Sequence, residues 1–323
     1  MLFSDMAKTD GHIRGYARIG TTAVPSIKQH LRTTTNKGKL RNTNDEPYYY
    51  LDPYSIHRQL IRIIPAFPNA NISVEVIGRT VEYNDIVLLK ITERKDNARY
   101  RAVDETKYAD DVLQKKIIFI VHGLSIMGFK NIPCLDESPY FIQLLSYYFE
   151  HLDKFDIFLI PLANPDGLNY PDFFWNKNVS PQKACPGVAL DRNFDVAWNS
   201  SRLLSSCSQH YPGLVPFSEV ETQVIRKIFY HYNHKIIAYI HVHAGGHSES
   251  TFRGEAVLYP KGYTDVQEDD DLYIDLKGEI DEAMRNASFR VMSVTVDTLQ
   301  SWYGTISGSS VDYASTVLLP LFL

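Results

Sequence analysis

"KIIFIVHG", Lys116 to Gly123, decides the fold. Ile117 to Val121 is an unbroken apolar run rich in β-branched residues. A strand with one wet face alternates apolar and polar residues, so an unbroken run predicts a strand covered on both sides, the hallmark of an α/β sheet. The run stops at His122 and Gly123, placing a metal-binding side chain where strand gives way to turn. The same arrangement recurs in "KIIAYIHVHAGG", where His241 and His243 precede two glycines. In open α/β sheets, ligands gather beyond the carboxyl ends of the strands. His122 and His241 are therefore candidate ligands, with satisfied structural histidines as the competing reading.

Around these strands the chain alternates elements. "ISVEVIGR", "DIVLLKIT" and "FDIFLIPLANPDG" read as strands, the last running into a turn. "FSEVETQVIRKIFYHY" reads as a helix, opened by a Ser218–Glu221 capping box and carrying a stripe of Val220, Val224, Ile225 and Ile228. Further helices are expected from Asp52–Pro53, from Ser138–Pro139 and in "LYIDLKGEIDEAM". The pattern predicts an α/β sheet flanked by helices on both faces. Residues 1–45, rich in Thr, Asn, Lys and Gly, read as a mobile N-terminal arm ahead of one folded domain over 46–323.

The 323 residues are 44% hydrophobic and 22% charged with net charge −5, the balance of an ordinary globular protein. No basic footprint argues for nucleic acid, and no apolar or amphipathic stretch argues for a membrane. Small peptides or proteins are the better partners. The N-terminus lacks the h-region and cleavage site of a signal peptide, whereas sequons at Asn71, Asn178, Asn199 and Asn286 lean extracellular as a set. Cys134, Cys185 and Cys207 allow one disulfide and one leftover thiol.

Taken in order, "VEVIGRTVEYNDIVLLKI", "IFIVHG", "FDIFLIPLANPDGLNY", "CPGVALDRNFDVAW", "CSQHYPGLVPFSEVET", "YIHVHAGG", "VLYPKGY" and "SGSSVDYA" resemble the landmarks of the zinc carboxypeptidases of the A and B type. The resemblance covers about residue 47 to residue 315. It implies a mixed, eight-stranded-type sheet flanked by helices, here without the last strand and helix, with the arm as a remnant of a propeptide on one reading. It also implies zinc as cofactor, peptide or protein C-termini as partners, a monomeric chain and an extracellular setting.

Carried over residue by residue, the family's machinery is incomplete. Two histidines and a glutamate hold zinc in such enzymes, with water in the open position. His122 and His241 match the histidines, but Ser125 stands in place of the glutamate, and His243 competes with His241. Asn176 occupies the position of the oxyanion arginine. For the substrate carboxylate, Arg192 is retained, while Asp191 replaces an asparagine and would repel a terminal carboxylate. The closing tyrosine falls on Gly304 with Tyr303 adjacent, and no general-base glutamate follows Asp312 before Leu323. Val311 would form an apolar floor for the side-chain pocket, and the landmark cysteines, Cys185 and Cys207, are expected to pair.

Losing an oxyanion donor costs on the order of 10² to 10³ in rate. A missing general base costs about 10² to 10⁴. The expectation is a family member with little or no peptidase activity. The alternatives are a working enzyme preferring apolar or aromatic C-terminal residues, and a non-catalytic extracellular binding or scaffold protein. His247 and Glu249 are weaker spare ligands, and Glu268 to Asp271 read as an exposed acidic loop.

Overall fold

The computed structural model describes residues 67–94 except 69, 115–126, 152–198 except 173, 204–243, 256–265 and 295–318. It also describes a ladder near the N-terminus and the isolated positions Asp275, Gly278, Glu279 and Glu282. The chain forms two compact units, one of residues 1–50 with 270–291 and the other of 51–269 with 292–323. In the first, β1 (Met6–Thr9) pairs antiparallel with β2 (His12–Gly15), and the four isolated positions are helical. Thus part of the stretch read from sequence as an arm forms a short ladder. The helices expected from Asp52 and Ser138 lie outside the described residues, as do Cys134, His247, Glu249 and the acidic run.

The second unit is built on a mixed sheet of β3 (Ala70–Arg79), β4 (Asp85–Glu93), β5 (Lys116–His122), β6 (Phe155–Ile160) and β7 (Ile236–Val242). The spatial order is β3-β4-β6-β5-β7. β3, β4 and β6 pair antiparallel, whereas β5 runs parallel to both neighbours. Five strands of this sheet are thus described against the eight-stranded type, with a separate parallel pair formed by β8 (Ala256–Tyr259) and β9 (Thr295–Thr298). In β5 every residue after Lys116 is buried, as its unbroken apolar run demands.

Alternate residues of β5 feed two cores. Ile118 and Ile120 face one with Leu89, Ile157, Leu159 and Leu168, the last from the short helix α1 (Pro165–Asn169). Ile117, Phe119 and Val121 face the other, where α2 (Val220–Tyr232) contributes Val224, Ile225, Ile228 and Phe229. Phe229 meets Phe119 edge-on with ring centroids 5.4 Å apart. Each such side chain stabilises by about 2 kcal/mol through burial. Tyr313 and Ala314 of α4 (Ser310–Leu318) pack against this same core, while Leu168 of α1 packs against the other, so helices contact both faces of the sheet.

The capping box expected at α2 is not formed. Glu221 turns inward to accept from Asn178 Nδ2, and the Ser218 hydroxyl donates to Glu219 instead. Asn193 serves the helix start, its Oδ1 accepting from the Thr222 hydroxyl at 2.7 Å and the Glu219 amide at 3.4 Å. A side chain distant in sequence replaces the local one because Asn193 is buried and held by the carbonyls of Pro212 and Val215.

Candidate metal and substrate site

His122 closes β5 and His241 lies one residue before the end of β7. In the parallel register Val121 sits opposite His241 and His122 opposite Val242, so the two histidines leave neighbouring strands in opposite pleat phases. Their rings can meet only over the carboxyl edge of the sheet. Burial first, and the proximity of His241 second, lower the His122 pKa to about 4. His243 falls to about 4 for the same reasons. Burial also lowers His241, with Asp191 opposing the shift. All three imidazoles are therefore neutral at neutral pH, the form that ligates metals.

The third ligand position is occupied differently. Ser125, buried in the turn after β5, donates its hydroxyl proton to Asn176 Oδ1 at 2.6 Å, and His243 Nε2 lies 2.7 Å from the same Oγ. A hydroxyl has one proton. With that proton on the Asn176 side, His243 must carry its own on Nε2 and donate it to Ser125. This fixes the tautomer: the Nε2–H donates to Ser125, and that nitrogen has no lone pair left to offer a metal. Asn176 is tied down further by its backbone N–H, which donates to Gln209 Oε1 at 2.9 Å. It brings no charge to the place expected for an oxyanion-stabilising arginine.

His241 has one orphan group. Its Nε2 is buried and lacks a hydrogen-bond partner among the described residues, while Nδ1 lies 3.5 Å from Ser310 Oγ and 3.7 Å from Asp191 Oδ1. No group of three His, Cys, Asp or Glu residues able to hold a metal occurs among the described residues. The side chains present do not fit a three-ligand zinc site: one position is a short neutral hydroxyl already bonded on both sides.

Asp191 and Arg192 lie on a 3-10 turn, Leu190–Arg192. Asp191 Oδ1 accepts the Ser310 N–H at 2.8 Å, joining the turn to the start of α4. Arg192 Nη1 donates back to the Asp191 carbonyl at 2.5 Å and lies 3.3 Å from Oδ2. Burial alone would raise the Asp191 pKa, but His241, Arg192 and Ser310 together hold it below the usual carboxylate value. Since His241 is itself neutral at neutral pH, Arg192 is the lasting charge partner there. Gly308 fixes the turn from behind: its φ is +72°, and a Cβ there would lie 2.2 Å from the Arg192 carbonyl oxygen.

The remaining candidates surround this pair. Tyr303 ends helix α3 (Leu299–Tyr303), is 44% exposed, and has its ring centroid 6.2 Å from that of His243. Gly304 follows with no heavy atom near its Cβ position. Val311 is half-buried in the first turn of α4. Asp312 beside it is fully buried, accepts the Gly262 N–H, and is raised to about 6 by burial above all. The Ser310 anchor was invisible in the sequence, because it joins residues 119 positions apart.

Cys185 and Cys207 form a disulfide with a Cα separation of 4.8 Å. The sequon at Asn178 is not a surface acceptor. Its side chain is fully buried, donating to Glu219 Oε2 at 2.8 Å and accepting from the Val188 N–H at 2.9 Å. Asn71 is exposed on β3, while Asn199 and Asn286 lie outside the described residues.

The histidines at adjacent strand ends and the aspartate–arginine turn beside them place the candidate site at the carboxyl edge of a mixed α/β sheet. The zinc carboxypeptidase family profile matches residues 144–319, and the chain belongs to that family. It is 30% identical over 238 residues to carboxypeptidase B of Helicoverpa zea, spanning 69% of this chain and 52% of that protein. It is 26% identical over 294 residues to the Saccharomyces cerevisiae protein named inactive metallocarboxypeptidase ECM14, spanning 84% of this chain and 62% of that protein. The chain thus spans little more than half the length of these curated relatives. Bovine thrombin-activatable fibrinolysis inhibitor, solved with tick carboxypeptidase inhibitor, shares the fold with a TM-score of 0.63 at 22% identity, covering 84% of this chain and 83% of that one. Carboxypeptidase A of Helicoverpa armigera does so with a TM-score of 0.61 at 20% identity, covering 92% and 71% respectively.

Proposed function

We propose that this chain is a zinc carboxypeptidase-family protein that has lost peptide hydrolysis and keeps a surface for peptide C-terminal ends around Arg192. One observation carries the reading: Ser125 stands where the third zinc ligand belongs, and its hydroxyl is already bonded to Asn176 and His243. Two imidazoles and water hold zinc weakly at best. Without a tightly held Lewis acid or a charged oxyanion partner, the site lacks both sources of electrostatic stabilisation that peptide hydrolysis draws on. Similarity to the yeast protein named inactive supports the same reading. The disulfide between Cys185 and Cys207 favours an oxidising, extracellular setting.

The test is metal analysis after dialysis, together with release of a C-terminal phenylalanine from a model peptide. Sub-stoichiometric zinc and no release above background are expected. Robust release by the unmodified chain would overturn the proposal.

A further inference from the structure

We infer that the Asp191–Arg192 pair selects peptides ending in a carboxamide over peptides ending in a free carboxylate. The inference rests on the reading that this surface receives peptide C-termini. The pair sets an acceptor and a donor side by side, with charges that cancel. Both side chains remain reachable, being 15% and 19% exposed. Among the described residues only Nη1 of the guanidinium is hydrogen-bonded, lying 3.3 Å from Asp191 Oδ2, while Ser310 engages the Asp191 carboxylate through its N–H at Oδ1.

Neither group can readily leave. Asp191 Oδ1 is held by the Ser310 N–H at 2.8 Å. The turn beneath is clamped between the Gly308 backbone and its own neighbours, the Phe194 N–H donating to the Gly308 carbonyl at 3.1 Å. Arg192 Nη1 is drawn onto the Asp191 carbonyl. A ligand must therefore accept the pair as it stands.

A carboxylate offers two acceptors and a negative charge. It satisfies Arg192 but sets like charge against Asp191 Oδ2, and such juxtapositions are strongly disfavoured. An ammonium group suits Asp191 but meets the Arg192 charge. A primary carboxamide has nearly the size and planarity of a carboxylate, is neutral, and carries one acceptor and two donors. Its carbonyl takes an Arg192 N–H while its own N–H donates to Asp191 Oδ2, so both members of the pair are satisfied at once. A site made to hydrogen-bond a group in this way discriminates well, because the wrong ligand leaves a polar group unpaired.

The experiment compares two peptides identical except for the last group, phenylalanine amide or phenylalanine acid, titrated by calorimetry into the unmodified chain at low salt. The amide is expected to bind at least about tenfold more tightly. Asp191→Asn, which turns the acceptor into a donor-bearing amide, is expected to reverse the order. Asp191→Gly removes the carboxylate without adding a donor and is expected to narrow the gap, with circular dichroism confirming that both variants fold. Equal binding, or tighter binding of the acid, by the unmodified chain overturns the inference and leaves the C-terminal surface standing. Binding of neither peptide overturns the C-terminal surface and the inference together.

Discussion

Replacing Ser125 by glutamate recreates His-x-x-Glu with His122 and should separate metal binding from catalysis. Without metal, Ser125→Glu destabilises. It breaks the bonds to Asn176 and His243 and places a carboxylate where the side chain is 5% exposed. Two lost hydrogen bonds and a poorly solvated charge amount to about 3 kcal/mol or more. With zinc, that carboxylate joins His122 and His241, whose buried Nε2 has no hydrogen-bond partner among the described residues. Zinc at a hundredfold excess over its Kd returns about 2.7 kcal/mol. In a unit of this size that corresponds to a rise in Tm of about 5–10 °C. The assay is thermal unfolding of both proteins in chelator and in excess zinc. The unmodified chain should melt alike in the two conditions, and only the variant should respond to metal. Peptide cleavage should stay absent, because Asn176 still offers no charge. A zinc response no larger in the variant than in the unmodified chain would show that His122 and His241 do not converge over the sheet edge, and would refute the reasoning.

Other outcomes follow from the surrounding packing. Burial above all raises Glu221 from 4.5 to about 7, so the folded state holds a proton that the unfolded state has released. Its contribution therefore weakens stability as pH rises from about 4.5 to about 7, reaching roughly 3 kcal/mol. Glu221→Gln should accordingly gain stability relative to the unmodified chain at pH 8 and lose that advantage near pH 4 in paired urea titrations. Reducing the Cys185–Cys207 bridge, which closes a separation of 22 residues, should lower stability by about 3 kcal/mol in the same assay. When the chain is expressed through a glycosylating secretory route, peptide mapping should find Asn178 unmodified in folded material, and a glycan there would contradict its burial against Glu219 and Glu221.

How much of this was legible in the sequence depends on how local each signal is. β5 was readable because a strand covered on both faces needs an unbroken apolar run, and Ile117 to Val121 supplies one. The inward stripe of α2 was equally plain, since Val224, Ile225 and Ile228 repeat at helical spacing. Its capping was misread because a Ser-x-x-Glu pattern does not register Asn193 arriving from another segment. The sequon at Asn178 misled for the same reason, the tripeptide being blind to burial. His122 and His241 could be found at strand ends, and Asp191 and Arg192 through family resemblance. The locking of Asp191 by Ser310, and the engagement of Ser125 by Asn176 and His243, depend on contacts between segments far apart in sequence, which spacing alone cannot report.

The three-residue network at Ser125 also bears on how such a chain can change over generations. Each member satisfies another, so restoring one family residue alone strands its neighbours. Glutamate at position 125 takes the hydroxyl from both Asn176 and His243, and arginine at position 176 removes the acceptor that Ser125 uses. A buried polar network left partly satisfied is less stable than either complete arrangement. A single change at position 125 or 176 therefore passes through a less stable chain, and selection for folding alone is enough to keep these residues in place. The Ser125 network acts as a ratchet, holding its three residues in place without any need for selection against hydrolysis.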